Sequence, residues 1–230
     1  YEKIDWVNNN QYIIKKSAEY IGVLVDSIFI NKKFLDDIQQ YFPVLFYIDD
    51  YNRWVHHGRI IIDWSISANV KHAHKKTSSS TYLLGSDYTA LRDEFSNNNK
   101  RIINPTIKDV LITFGGSDIR NITPNIMKIM NEYYPHYNMH IIIGKNNLKS
   151  KNININKTKN TTLYHAPNAS LMKEVMMKCD IAIAAGGQTL YELACVGLPT
   201  ISVISTDNQV EDSESFGKIG SLLNAGIWNS

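Results

Sequence analysis

The chain has 230 residues, a formal net charge of +2 at pH 7, and 43% hydrophobic and 10% aromatic residues. This apolar content is enough to build hydrophobic cores, so global disorder is excluded, and the length suits two domains of about 100 to 120 residues each. The lysines are scattered along the chain, which argues against a nucleic-acid partner, because nucleic-acid binding requires a basic stripe or patch.

The number of cysteines and the length of the apolar runs indicate the cellular compartment of the protein. Cys179 and Cys195 both lie in apolar sequence and are expected to be small core residues. So few cysteines argue against a disulfide scaffold and favour a reducing cytoplasm. No apolar run reaches the roughly 18 residues that a membrane span requires. We therefore expect a cytoplasmic protein without a membrane span.

The first half of the chain alternates predicted helices with short apolar runs. Helices are predicted at residues 11–20 and 32–41, and buried strands at residues 21–25, 44–48 and 59–63. Alternation of this kind is typical of a doubly wound α/β domain. The polar stretch 71–80 is predicted to be a loop.

Acidic residues follow two of these predicted strands. Asp26 follows the first strand, and Asp49 and Asp50 follow the second. Open α/β sheets bind ligands at the carboxyl ends of their strands, so these three side chains are candidate cleft residues. The alternative for Asp49 and Asp50 is a cap on the following helix.

The Asn-rich stretch 97–105 is predicted to link two lobes, 1–104 and 105–230. In the second lobe, strands are predicted at 109–114, 140–143, 162–165, 181–185 and 201–204. One helix is expected to begin with Thr123 as N-cap and Pro124 at the first helical position. Another is expected over residues 169–178, with Asn168 as its cap. The Asn–Lys run 151–160 is interpreted as a surface connection.

Two glycine turns each follow a predicted strand and precede a predicted helix. They are Gly115-Gly116, followed by Ser117, and Gly186-Gly187, followed by Gln188 and Thr189. Glycine lets the backbone approach a phosphate, and the next helix directs N–H groups at it. Any strand-to-helix turn can also use glycine for tight geometry. Two such turns in one lobe make an anion-binding cleft and simple turn geometry about equally probable.

Four polar residues beside these turns are open to more than one interpretation. Thr189 and Glu192 have capping-box spacing, which favours a helix cap, although the Glu192 carboxylate can also accept both hydroxyls of a ribose. Asn208 and Gln209 follow a predicted strand, where amides bind sugars or simply form turns.

The histidines do not form a recognisable metal site. His56-His57 and His72-x-His74 lack a third ligand at a characteristic spacing, so solvated loop histidines are the favoured interpretation. The sequence contains no G-x-S-x-G elbow, Walker loop, H-E-x-x-H motif or protein-kinase motif set. We expect neither a metal nor another cofactor.

The run 184–209 reads Ala-Ala-Gly-Gly-Gln-Thr-Leu-Tyr-Glu, then Gly-Leu-Pro-Thr, then Asp-Asn-Gln. With the stretches 23–27, 47–50, 83–95 and 111–118, it resembles GT-B proteins. The likeness is to the UDP-sugar hydrolase of pseudaminic acid biosynthesis and its spore-coat polysaccharide relatives, and more distantly to MurG-type N-acetylglucosaminyltransferases. It extends from about residue 20 to residue 216.

This resemblance implies a GT-B-like α/β fold with two Rossmann-like lobes, a cleft between them, and UDP held by the second lobe. Glu192 then matches the residue that binds the ribose hydroxyls, and the loop 165–168 lies near the uracil. The groups expected near the diphosphate and sugar are Gly116, Ser117, Gly187, Gln188, Thr189, Asn208 and Gln209. Asn208 is also the candidate catalytic residue.

Two departures from the family concern the first lobe. The family carries its main catalytic candidate, a histidine, in a G-x-G-H loop after the first strand, and no stretch of this chain matches that loop. The first lobe is therefore expected to be incomplete. In addition, Ile28 stands where the family often has a tyrosine.

The resemblance implies a metal-independent, monomeric hydrolase that releases UDP from a diacetamido-trideoxy hexose. A UDP-sugar glycosyltransferase of the same fold is the alternative, and a nucleotide-sugar binding module without chemistry is the third hypothesis.

Overall fold

The computed structural model describes residues 10–96, 100–147 and 160–229. The chain divides into two compact units, Tyr1–Ala90 and Leu91–Ser230, which we call the first and second lobes. This division falls earlier in the chain than the predicted boundary between residues 104 and 105. The predicted surface connection at 151–159 lies outside the described residues.

The first lobe contains a four-stranded parallel sheet with strands in the order β1-β2-β3-β4. The strands are β1 (Gly22–Val25), β2 (Val44–Ile48), β3 (Ile60–Asp63) and β4 (Thr81–Leu84), and the helices are α1 (Asn10–Lys16), α2 (Lys32–Gln39) and α3 (Ala68–His72). The predicted strands at 21–25, 44–48 and 59–63 are thus confirmed. Helix α3 and strand β4 were not predicted.

Helix α2 forms because its apolar residues recur at helical spacing and its start is capped. Phe34, Leu35 and Ile38 are buried against strands β1 to β3, and the Asn31 side chain accepts a hydrogen bond from the backbone N–H of Phe34. The predicted helix 32–41 extends too far, because Tyr41 lies beyond the helix end and is 47% exposed.

The second lobe contains a six-stranded parallel sheet in the order β10-β9-β8-β5-β6-β7. The strands are β5 (Asp109–Thr113), β6 (Asn138–Ile143), β7 (Thr161–His165), β8 (Ile181–Ala185), β9 (Thr200–Ile204) and β10 (Leu223–Ile227), and the helices are α4 (Ile122–Tyr133), α5 (Ala169–Lys178), α6 (Thr189–Cys195) and α7 (Val210–Lys218). All predicted strands of this lobe are confirmed. Helix α7 and strand β10 were not predicted.

The strand order of the second lobe contains one reversal. The chain runs outward from β5 through β6 to β7, then crosses to the other side of β5 as β8 and continues to β9 and β10. In open α/β sheets, the crevice at such a switch point is where ligands bind. The turns after β5 and β8 contain Gly115-Gly116 and Gly186-Gly187, so both predicted glycine turns lie at the switch point.

The segment 91–104 belongs to the second lobe because its side chains bond to helices α5 and α6. Arg101 donates to the carbonyl oxygens of Met176, Cys179 and Val196, at the C-terminal ends of these helices. Asn104 donates to Asp180. Residues 97–99 of the predicted linker lie outside the described residues, but the anchored part explains why the division falls earlier than predicted.

Two helices begin differently from the prediction. Helix α4 begins at Ile122, and the buried Asp118 carboxylate accepts from the N–H groups of Ile122 and Thr123, so Thr123 is not the N-cap. Helix α6 has Gln188 at its N-cap position, so the predicted capping box of Thr189 and Glu192 is wrong. With Gln188 as N-cap, the third helical position is Tyr191, so Glu192 lies one residue beyond the position that a capping box requires. Its carboxylate is bonded to Arg92 instead. The predicted cap of helix α5 by Asn168 is confirmed.

Candidate functional site

Two adjoining cavities lie at the switch point of the second lobe. The first has a volume of about 380 Å³ and the second about 260 Å³. Both are lined by the same four residues of the two glycine turns, namely Gly115, Gly116, Gln188 and Thr189. The glycine turns therefore form a shared wall.

A third glycine, Gly144, brings the loop after β6 against the first of these turns. A Cβ atom on Gly144 would lie 2.4 Å from the carbonyl oxygens of Gly115 and Gly116 and from the Gly116 Cα. The Asn146 N–H donates to the Gly116 carbonyl at 3.0 Å, and Gly115 has a φ of +73°. Only glycine permits this approach of backbone to backbone, so Gly144 shapes the cavity wall.

Gln209 holds the second glycine turn in place. Its Oε1 accepts from the Gly186 N–H at 3.3 Å and from the N–H and hydroxyl of Ser205, both at 2.9 Å. Gly186 is buried, and a Cβ there would lie 2.1 Å from the Ser213 hydroxyl. Gln209 lines the second cavity. Its side-chain oxygen Oε1 is already bonded to the loops after β8 and β9 and holds these two loops together.

Glu192 lines the first cavity and is paired with Arg92. The residue as a whole is only 6% exposed, and its two carboxylate oxygens accept from Arg92 Nε at 2.7 Å and Arg92 Nη2 at 2.9 Å. This two-pronged geometry explains why Glu192 does not bond back to the start of its own helix. Glu192 comes from α6 and Arg92 from the segment 91–104, so tertiary packing creates the pair.

The rest of the first cavity has an apolar side and a basic rim. Ile142, Pro167 and Met172 contribute apolar surface, and Lys145 adds a positive charge. Among the described residues that line this cavity, Glu192 is the one acid, and Arg92 already offsets its charge. The cavity thus combines an apolar side, a carboxylate and net positive charge, which suits a nucleotide.

The remaining predicted residues of the second lobe have different positions. Ser117 and Gly187 line the second cavity. Asn208 lies on a short 3-10 turn, is exposed, and accepts from the Thr206 hydroxyl at 2.6 Å. It lines neither of the two cavities, whereas its neighbours Thr206 and Gln209 line the second. A catalytic role for Asn208 stays a prediction.

The predicted acids of the first lobe do not share one environment. Asp26 is exposed, as is Asp50. Asp49 is 1% exposed, and its carboxylate accepts from the Arg53 N–H and pairs with His56 at 2.8 Å. Asp49 is therefore used to anchor the loop that follows β2, rather than presented to a ligand.

The interpretation of the histidines as solvated loop residues is correct for His57 and His74 and wrong for His56 and His72. His56 is 1% exposed and His72 is fully buried, because each bonds to an aspartate at a strand end. His72 Nε2 lies 3.1 Å from Asp63 Oδ2. Among the described residues, no group of three or more metal-binding side chains could hold a metal ion.

Cys179 is buried, and burial raises the pKa of its thiol to about 12, which agrees with the predicted core role. The Cys195 thiol donates to the Phe95 carbonyl at 3.0 Å. In the part of the chain that the structure describes, no helix is both long and apolar enough to cross a membrane.

Residues 110–222, which make up most of the second lobe, match the model of the glycosyltransferase family 28 C-terminal domain. This match and the two parallel sheets confirm the predicted GT-B-like α/β class with two Rossmann-like lobes. The predicted cleft between the lobes stays a prediction.

Two curated proteins are similar to this chain. One is the pseudaminic acid cytidylyltransferase and UDP-2,4-diacetamido-2,4,6-trideoxy-beta-L-altropyranose hydrolase of Helicobacter pylori, 33% identical over 70% of this chain and 28% of that protein. The other is the spore coat polysaccharide biosynthesis protein SpsG of Bacillus subtilis, 23% identical over 62% of this chain and 43% of that protein. The chain therefore spans less than half the length of each.

Among solved structures, the chain is similar to MurG of Acinetobacter baumannii, with 16% identity over 84% of this chain and 62% of that chain and a TM-score of 0.45. The predicted resemblance to the pseudaminic acid and spore-coat proteins is confirmed by the two curated relatives.

Sequence analysis missed several lining residues of the first cavity, among them Gly144, Lys145 and Arg92. Gly144 follows strand β6 just as the other glycines follow β5 and β8, so its position was a usable signal. Lys145 is its direct neighbour. Arg92 lies within the stretch 83–95 that carried part of the resemblance, but nothing local to it indicated a pairing with Glu192.

Proposed function

We propose that the second lobe holds the nucleoside diphosphate of a UDP-sugar and that the protein hydrolyses this sugar nucleotide to release UDP. The observation that carries the proposal is the pair of adjoining cavities at the switch point, with two glycine turns as their shared wall and Glu192 in the first. The similarity to the Helicobacter pylori hydrolase supports the substrate class and the reaction.

Each part of the nucleotide has a chemically suitable partner in this arrangement. The apolar side formed by Ile142, Pro167 and Met172 suits a base, and the Glu192 carboxylate suits the ribose hydroxyls. The backbone of the two glycine turns suits the diphosphate, because glycine lets main-chain N–H groups approach phosphate oxygens. The sugar then extends toward the second cavity, which Ser117, Thr206 and Gln209 line together with Gly187.

In the proposed reaction, water attacks the anomeric carbon and the bond between that carbon and the diphosphate oxygen breaks. The developing charge on the departing UDP is stabilised by main-chain groups of the turns and by Lys145. A general base must take the proton from the water. The resemblance assigns this role to a histidine in a G-x-G-H loop, and Asn208 is proposed to contact the sugar or diphosphate. No metal or other cofactor is required by this scheme.

The test is incubation of the protein with the UDP-diacetamido-trideoxy-hexose alone, with UDP release followed over time. Hydrolysis predicts release without any acceptor, at a rate unchanged by a metal chelator. If UDP appears only after an acceptor sugar is added, the hydrolase proposal is wrong.

A UDP-sugar glycosyltransferase is the second candidate function, favoured by the match to the glycosyltransferase family 28 C-terminal domain. It predicts acceptor-dependent release of UDP in the same assay. The third candidate, a nucleotide-sugar binding module, predicts binding of the UDP-sugar with no UDP release under either condition. For either enzymatic function, we also propose that the protein is a cytoplasmic monomer.

A further inference from the structure

The Arg92–Glu192 pair combines a buried carboxylate with a cation at the rim of the first cavity. The Glu192 side chain is 8% exposed, and that of Arg92 is 42% exposed. Both Glu192 oxygens accept from one guanidinium, at 2.7 Å from Nε and 2.9 Å from Nη2. Two parallel hydrogen bonds from a planar group fix the plane of the carboxylate, which a single contact would not do.

Arg92 is itself held in place by its neighbours. Its guanidinium lies 5.3 Å from the centre of the Phe95 ring, and Phe95 is fully buried. Lys173 of helix α5 donates to the Glu94 carbonyl at 2.6 Å, and the Cys195 thiol of helix α6 donates to the Phe95 carbonyl. The short turn that follows Arg92 is thus bonded to both helices beside the cavity.

The pairing still leaves hydrogen-bonding capacity on Glu192. An ionised carboxylate offers about four acceptor positions on its two oxygens, and Arg92 occupies one on each. The remaining positions, one per oxygen, suit two neighbouring hydroxyl groups. Because Glu192 lines the cavity while Arg92 fixes its plane, a vicinal diol is a well-matched ligand.

We propose that Arg92 is a positioning residue that makes this site selective for ribose over 2′-deoxyribose. This inference rests on the proposed function, in which Glu192 accepts the ribose hydroxyls. Arg92 acts through Glu192: it keeps both oxygens aimed so that the 2′- and 3′-hydroxyls are bound together. Loss of the two-pronged contact leaves Glu192 in place but with its plane no longer fixed.

The test measures the affinities of UDP and 2′-deoxy-UDP by calorimetry for the wild-type protein and for Arg92→Lys. Lysine keeps a positive charge beside Glu192 but cannot make the planar two-pronged contact. We expect the wild-type protein to prefer UDP by at least roughly tenfold, because the deoxy ligand leaves a buried charged acceptor unmatched. In Arg92→Lys this ratio is expected to fall to about threefold or less, with the affinity for 2′-deoxy-UDP nearly unchanged.

A second series separates positioning from folding. Glu192→Gln removes the charged acceptor, and the double variant Arg92→Gln with Glu192→Gln leaves no unpaired buried charge. If Arg92 acts only through Glu192, the double variant has the same UDP to 2′-deoxy-UDP ratio as Glu192→Gln alone. The matched control is Arg101→Lys, which alters another anchor of the segment 91–104 but does not touch Glu192; its ratio is expected to stay at the wild-type value.

Four outcomes contradict the inference. If Arg92→Lys weakens both ligands equally, Arg92 contacts the diphosphate or only supports the fold. If the double variant has a lower ratio than Glu192→Gln, Arg92 does not act through Glu192. If the wild-type protein itself binds UDP and 2′-deoxy-UDP equally, the ribose assignment of the proposed function fails, and the inference fails with it. A wild-type preference that survives in Arg92→Lys overturns the inference while leaving the proposed function intact.

Discussion

Two glycines of the first cavity wall, Gly144 and Gly116, have different surroundings. A Cβ on Gly144 would meet three backbone atoms of the neighbouring turn at 2.4 Å, whereas a Cβ on Gly116 would have no atom within 4 Å. The first glycine is therefore required by the fold. The second keeps open the space that both cavities share.

Alanine substitutions should separate these two roles. Gly144→Ala is expected to lower the free energy of unfolding by about 1 to 3 kcal/mol, because backbone must move to admit the methyl group. Gly116→Ala is expected to change it by less than about 0.5 kcal/mol but to weaken UDP binding, because the methyl group occupies ligand space. Urea unfolding and calorimetry with UDP measure the two effects. Equal stability losses in both variants would contradict this division of roles.

Asp63, at the end of strand β3, is the centre of a buried ionic cluster. Its carboxylate accepts from the Ser65 N–H, lies 3.1 Å from His72 Nε2 and lies 3.2 Å from Lys71 Nζ. Burial alone would raise the pKa of Asp63, but the hydrogen bonds from His72 and Ser65 and the charge of Lys71 outweigh it, so the pKa is lowered. The folded state therefore prefers the ionised carboxylate.

This lowered pKa makes stability depend on pH in one direction. The Asp63 contribution is fully present above the ordinary aspartate pKa of about 4 and is lost as the pH falls through the lower folded-state value. Asp63→Asn is expected to reduce the free energy of unfolding by about 3 kcal/mol at pH 7, with the gap to wild type closing below about pH 4.

Urea unfolding of both proteins between pH 3 and 7 measures that gap. The exposed Asp87 provides a matched control, since Asp87→Asn should change the unfolding free energy by no more than about 0.5 kcal/mol throughout. A gap for Asp63→Asn that does not narrow in acid would show that ionisation of Asp63 is not what stabilises the lobe.

At the scale of the secondary-structure elements, sequence patterns located strands better than helix starts. The apolar runs of β2 and β8 match the predicted residues, because a buried parallel strand needs a continuous apolar stretch. Helix α4 begins at Ile122, one residue before the predicted N-cap Thr123. The carboxylate of Asp118 caps both N–H groups from four and five residues upstream, through an unusual turn in which Asp118 and Asn121 both have positive φ. Capping rules that consider only adjacent positions do not detect such an arrangement.

At the scale of the whole molecule, the position of the lobe boundary has a testable consequence. The segment 91–104 contributes Arg92 to the cavity, Phe95 to the packing against α5 and α6, and Arg101 to the ends of these helices. We expect residues 91–230 to fold on their own and to bind UDP. Residues 105–230 should be markedly less stable, because Arg101 alone makes three hydrogen bonds worth about 1.5 to 3 kcal/mol each.

Circular dichroism and calorimetry with UDP on the two shortened chains check this prediction. Similar stability and affinity in both would show that the segment 91–104 is only a linker. A shortened chain 91–230 that is folded but does not bind UDP would instead argue against the proposed function of the second lobe.

The sequence by itself determined the α/β class and the two glycine turns, because these features depend on local patterns of apolar and glycine residues. It did not determine the contacts of Glu192, whose spacing from Thr189 favoured a helix cap that the structure does not contain. Only the tertiary structure decided what those residues contact. It paired Glu192 with Arg92 across 100 residues of chain, turned Asp49, His56, Asp63 and His72 inward as buried pairs, and brought Gly144 against Gly116. Such contacts depend on which distant segments pack together, and that packing follows from burying the whole apolar surface rather than from any local pattern.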